Sequence, residues 1–143
     1  MSADDRTRRA RVEGRADLPF VDAVLDALEK LWDEAPDVAD EDRMLFTLAV
    51  SEIVTNVATH APGAPDLVTS AELEVSEDML RAVIKDTAAP VQIDWSAVGM
   101  PGDDAESGRG LALAQATLDR LEHRSDEDGN IWLLVRRGGV TRS

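Results

Sequence analysis

The amino-acid sequence predicts an α+β domain in which helices gather on one face of a largely antiparallel sheet. Three observations predict it. Apolar residues recur at helical spacing in two stretches, Phe20 to Trp32 and Leu45 to Val57. Two pairs of strand-like runs, Leu67 to Val75 with Leu80 to Lys85 and Leu121 to Ser125 with Ile131 to Arg136, each flank a short polar turn. The resulting order is strand, helix, helix, hairpin, loop, helix, hairpin.

Residues Arg8 to Arg15 form the first short strand. Asp17 is a plausible helix N-cap with Pro19 close behind, and Phe20, Val21, Val24, Leu25, Leu28, Leu31 and Trp32 make the apolar face that follows. Pro36 ends that helix. Asp40 caps a second helix running to about His60, which Pro62, Gly63 and Pro65 stop. The first hairpin turns at Ser76-Glu77-Asp78. From Ala88 to Ser107 the chain reads as a loop, with Pro90, Gly99, Pro101 and Gly102 and an acidic Asp103-Asp104; so long an irregular stretch is usually a lid or binding loop. A third helix is expected from Gly110 to about Leu121. The second hairpin turns at Asp126-Glu127-Asp128-Gly129.

At 143 residues the chain fits one domain, and residues 1–7 read as a disordered tail. The absence of cysteine excludes a disulfide framework and a thiolate metal site. No apolar run approaches the roughly 20 residues of a bilayer-spanning helix, so no membrane association is expected. The acidic N-terminus Met1-Ser2-Ala3-Asp4-Asp5 does not read as a secretory signal, which makes the cytoplasm the expected compartment. A net charge of −14 opposes direct binding to nucleic acid. Arg6, Arg8, Arg9, Arg11 and Arg15 are a local exception. They suit either a solvated tail or edge strand, where charge discourages sheet-to-sheet aggregation, or a docking patch for an acidic protein.

Three features do not fit a plain core. At ~100° per residue, Leu45, Phe46, Leu48, Ala49, Val50, Ile53, Val54 and Val57 share one sector of the second helix, with Thr47, Ser51 and Thr55 opposite. Glu52 and Asn56 fall among Leu45, Leu48 and Ala49 at the border of the apolar sector, one turn apart. A carboxylate and an amide placed there are costly without partners, so they are either satisfied structurally or line a pocket. The second feature is Glu106-Ser107-Gly108-Arg109-Gly110-Leu111. It is either an ordinary glycine-containing loop or an anion site, made of open helix-start amides and an arginine fork. The third is Val83-Ile84-Lys85-Asp86, a strand that delivers Asp86 to the start of the long loop. Asp86 is either a turn residue or a site residue held by the sheet.

Taken in order, these segments resemble the superfamily that includes gyrase, heat-shock chaperone ATPases, histidine kinases and mismatch-repair ATPases. Leu48-Ala49-Val50-Ser51-Glu52-Ile53-Val54-Thr55-Asn56 looks like the N box, Asp86-Thr87-Ala88-Ala89-Pro90 like a degenerate first glycine box, and Gly108-Arg109-Gly110-Leu111-Ala112-Leu113 like the second glycine box. The most similar branch is that of the anti-sigma-factor serine kinases, which are single small domains. The resemblance implies a two-layer α/β sandwich of Bergerat type, with helices over one face of a mixed, mostly antiparallel sheet. It implies ATP and Mg²⁺ as cofactors. Glu52 is then the catalytic base, Asn56 the metal ligand, and Asp86 the acceptor for the adenine amino group, beside Ala88. Gly108, Arg109, Gly110 and Leu111 hold the phosphates, and a lid lies within residues 88–107, its core running from Gly99 to Ser107. Where the first box usually has two glycines, Ala88 and Pro90 stand here.

The function this implies is phosphorylation of a small STAS-type anti-anti-sigma protein, coupled to sequestration of a sigma factor in a partner switch; this branch often forms homodimers. The alternative is a catalytically weak or inactive ATP-fold module that holds a signalling partner. An orphan kinase acting on a response regulator ranks last, since His60 and His123 are the only histidines and neither lies on a separate phosphoacceptor helix.

Overall fold

The computed structural model describes residues 7–60, 67–88 and 105–138, except the side chains of residues 60 and 105–109. The expected tail, but for residue 7, and most of the expected lid lie outside them. The elements are β1 (Arg8–Arg15), α1 (Leu18–Glu34), α2 (Asp40–His60), β2 (Val68–Val75), β3 (Leu80–Asp86), α3 (Ala105–Thr117), β4 (Arg120–Asp126) and β5 (Gly129–Arg136). The five strands form one sheet in the order β1-β2-β3-β5-β4, and every described pairing is antiparallel.

Period-two burial puts Ala71, Leu73, Val75, Leu80, Ala82, Ile84, Trp132 and Leu134 on one face, under the helices. They meet Val24, Leu28 and Leu31 of α1 and Phe46, Val50, Ile53 and Val54 of α2 in one core. Asp17 caps α1 by accepting from the Phe20 N–H at 3.0 Å. The Trp32 indole N–H donates to Thr47 Oγ1 at 3.0 Å, so Thr47, on the polar side of α2, faces α1. Leu48 departs from expectation: it is exposed, on the flank of α2 that also carries Glu52 and Asn56.

The first hairpin turns as expected, with Ser76 N–H donating to Met79 O at 2.9 Å and Ser76 Oγ to Asp78 Oδ1 at 2.8 Å. The second is tighter than expected, because Asp126 and Gly129 already pair in the ladder. Gly129 has φ +138°, and a Cβ there would collide with the Asp86 carbonyl, so this position requires glycine.

The N-terminal arginines lie on an edge strand. Arg9 Nε stands 3.8 Å from Glu74 and Arg11 Nε 3.7 Å from Glu72, both on β2. Such exposed pairs contribute about 0–1 kcal/mol each. This is the edge-strand reading of the cluster.

A feature not foreseen from the sequence ties the layers together. Arg136, at the end of β5, is fully buried and donates through Nε to Asp42 Oδ1 at 2.9 Å. Its Nη1 donates to the Thr117 carbonyl at 2.6 Å, at the end of α3. Arg136→Ala leaves the Asp42 carboxylate buried without its cation, and such losses cost about 3–5 kcal/mol. Urea denaturation should show that drop, with a milder one for Asp42→Asn; an unchanged midpoint for Arg136→Ala would contradict the structural role.

Candidate functional site

The α2 helix presents Glu52 and Asn56 one turn apart on its exposed flank, both half-buried. Among the described residues neither side chain makes a hydrogen bond. Among the described residues, then, no structural partner silences the pair. Helix α3 packs against this flank, and the contact is intimate. A Cβ on Gly110 would fall onto Glu52 Oε2 and lie 3.1 Å from Glu52 Cδ. Glycine at 110 therefore gives the carboxylate its place between the two helices.

The second glycine segment departs from its expected setting. Helix α3 begins at Ala105, so Gly108, Arg109 and Gly110 lie inside it rather than in a loop before it. It also ends earlier than expected, at Thr117. Glycine disfavours a helix interior by about 1 kcal/mol relative to alanine, but Ala105, Glu106, Arg109, Leu111 and Ala112 are good helix formers and prevail. Gly110 lies past the first turn, where amides lack intrahelical acceptors, so the open amides of α3 belong to its start. Residues 105–107 of the expected lid are thus helical. Leu111 packs into the core, and the Arg109 side chain lies outside the described residues.

Asp86 sits at the last position of β3, buried on the helix side. Its Oδ1 accepts from the Ala88 N–H at 2.9 Å and from Asn130 Nδ2 at 3.0 Å. Beyond it, Thr87 N–H donates to Val68 O at 3.1 Å and Val68 N–H to Thr87 Oγ1 at 3.0 Å, which closes the ladder. No described non-glycine residue has a positive φ, so Ala88 needs none of glycine's freedom.

A cavity of about 350 Å³ also touches this strand end, lined by Glu13, Ser70, Lys85, Asp86, Gly129 and Ile131 among others. Its lining reaches Thr69 and Asn130 on the helix side of the strand ends, and Glu52, Asn56 and Gly110 are not part of it.

The family model described as a histidine kinase-like ATPase domain matches residues 15–136, most of the chain. The chain belongs to the histidine kinase-like ATPase domain family. No curated protein matches it. Among solved structures it is similar to the histidine kinase domain from Erythrobacter litoralis EL346 blue-light activated histidine kinase, at TM-score 0.52 and 19% identity. The match covers 82% of this chain and 59% of that one, and it shows a shared fold.

As a histidine kinase-like ATPase domain, the chain is of an ATP-binding type, and such domains typically take Mg²⁺ with the nucleotide. Asn56 fits that ion: its amide is half-exposed and held by no side-chain partner among the described residues. Magnesium keeps several waters and takes few protein ligands. Among the described residues no group of three or more His, Asp or Glu offers a metal cage. No helix among them is long and apolar enough to cross a membrane.

Sequence reasoning missed Asn130 and His123. Asn130 is buried directly opposite Asp86 in the β3–β5 register. The only signal for it was a polar residue at an inward position of a strand whose other inward residues include Trp132 and Leu134.

The Glu52–Gly110 packing yields a direct test. Gly110→Ala should displace the Glu52 carboxylate, while the added methyl favours the helix by about 1 kcal/mol. Thermal unfolding should show no loss of stability, and ATP turnover should fall. Intact turnover in a stable Gly110→Ala protein would detach Glu52 from the chemistry.

Proposed function

We propose that this domain is an ATP-dependent protein serine kinase that acts as an anti-sigma factor, phosphorylating a small STAS-type antagonist. The observation that carries the proposal is the Glu52 carboxylate, lodged against Gly110 and one turn from Asn56, with no hydrogen-bonding partner of its own among the described residues.

Phosphoryl transfer needs positioning and charge neutralisation more than covalent help from the protein. Magnesium bound with ATP would offset the charge of the phosphates. The chain's own residues supply the rest. Asn56 offers one amide oxygen as a ligand. Glu52, on the same helix flank, accepts the proton of an incoming serine hydroxyl. Asp86 accepts a hydrogen bond from the base of the nucleotide, and Arg109 with the α3 start stands for the phosphates. The antagonist and the sigma factor as partners rest on the resemblance of the N box and second glycine box to that branch.

A second reading is favoured by one observation. Because α3 runs through Gly108 and Gly110, their amides are not arranged as an open loop around phosphates. On that reading the domain is a catalytically weak module that sequesters a signalling partner.

Phosphate transfer from labelled ATP to the antagonist separates the two. The kinase reading expects transfer with Mg²⁺, a fall of about 10²–10⁴-fold in Glu52→Ala, and retained ATP binding in that variant. Asn56→Ala should lose the Mg²⁺ dependence of ATP binding. Micromolar ATP binding with no transfer would leave the binding module standing and overturn the kinase.

A further inference from the structure

Behind Asp86 lies a chain of polar side chains that crosses three strands. Asp86 on β3 faces Asn130 on β5 in direct register. His123 on β4 stands opposite Trp132, and so diagonal to Asn130. The three lie on the helix side of the sheet, Asp86 and Asn130 buried and His123 half-buried. His123 Nε2 is 3.1 Å from Asn130 Oδ1, and Asn130 Nδ2 donates to Asp86 Oδ1 at 3.0 Å. The His123 ring also rests on Trp132, with centroids 4.4 Å apart.

Chemistry orders this chain without ambiguity. The Asp86 carboxylate only accepts, so the amide must turn its NH₂ toward it. That turns Asn130 Oδ1 toward the imidazole, which must then carry its proton on Nε2. Oδ1 of Asp86 thus receives two donors, Asn130 Nδ2 and the Ala88 N–H. No described residue donates to Oδ2, and no buried side-chain oxygen among the described residues lacks a partner, so Oδ2 keeps access to solvent. One oxygen is anchored and the other presented.

We propose that Asn130, aligned by His123, is a positioning residue that aims Asp86 Oδ2 at the exocyclic amino group of adenine, and so sets selectivity for adenine over guanine nucleotides. This rests on the reading that the nucleotide base lies at Asp86. An adenine amino group donates to the presented oxygen. The guanine carbonyl at the equivalent ring position offers a lone pair to a carboxylate whose rotation is blocked, and is rejected. A carboxylate freed of its anchor can turn away, and adenine loses most of its advantage.

The test is calorimetry of the full chain with Mg-ATP and Mg-GTP. Wild type should bind ATP in preference to GTP. Asn130→Leu should weaken ATP by about tenfold, the scale of one charge-assisted hydrogen bond, with little change for GTP. Because Asn130 is buried, His123 supplies a second pair of variants. His123→Leu should lose selectivity in the same direction, and His123→Gln, which keeps a donor, should restore it. A merely structural role would lower stability in both His123 variants without altering the ATP-to-GTP ratio. If folded Asn130→Leu and His123→Leu discriminate as wild type does, the positioning role is overturned while the site stands. If wild type binds no ATP, the site reading falls and the inference with it.

Discussion

The buried Arg136–Asp42 pair is the interaction on which the arrangement depends. Arg136 comes from the last strand, Asp42 from the first turn of α2, and the Thr117 carbonyl from the end of α3. A guanidinium is always charged and costly to bury, so its fork must be filled. Only when α2 and α3 both meet the end of β5 is it filled. The same two helices, nearer the other end of α3, bring Gly110 against Glu52. A structural ion pair and the candidate site are therefore linked by one rigid-body relation between two helices.

Much of the fold was legible because its signals are local. The spacing of Phe20, Val24, Leu28 and Leu31, the Asp17 cap and the prolines at 36 and 62 bound α1 and α2 closely. The first hairpin followed from alternating apolar residues around Ser76 and Asp78. What escaped were contacts set by register and packing. Nothing in the run around Asn130 says that it faces Asp86, since that pairing depends on a crossover through α3 and β4. Arg136 read as the charged end of a strand, and its burial depends on a partner far away in the chain. Leu48 read as core because wheel geometry alone does not say how far round α2 its packed face extends.

The candidate site was legible in a different way. Glu52 and Asn56 stood out because polar residues at an apolar border demand an explanation. The second glycine segment stood out for its composition, but composition misplaced it. Gly108 and Gly110 looked like a loop, whereas at Gly110 the missing side chain serves close approach between helices. Glycine's two uses, freedom of backbone and absence of bulk, cannot be told apart without knowing the neighbour.

The two ends of the site consequently rest on different supports. Asp86 is fixed by strands: the β3–β5 ladder, the close approach of Gly129 to its carbonyl, and the Asn130 and Ala88 donors all act on one short stretch of backbone. Among the described residues, Glu52 and Asn56 are held by their helix, with Gly110 as the contact from Glu52 across to α3. A hydrogen-bonded sheet end holds its carboxylate to one orientation, which suits recognition of a flat base. A carboxylate lodged against a glycine can be moved by any shift of the facing helix, which suits a step that must await a second protein. On the proposed reading, discrimination of the nucleotide belongs to the sheet, and sensitivity to a partner belongs to the seam between α2 and α3.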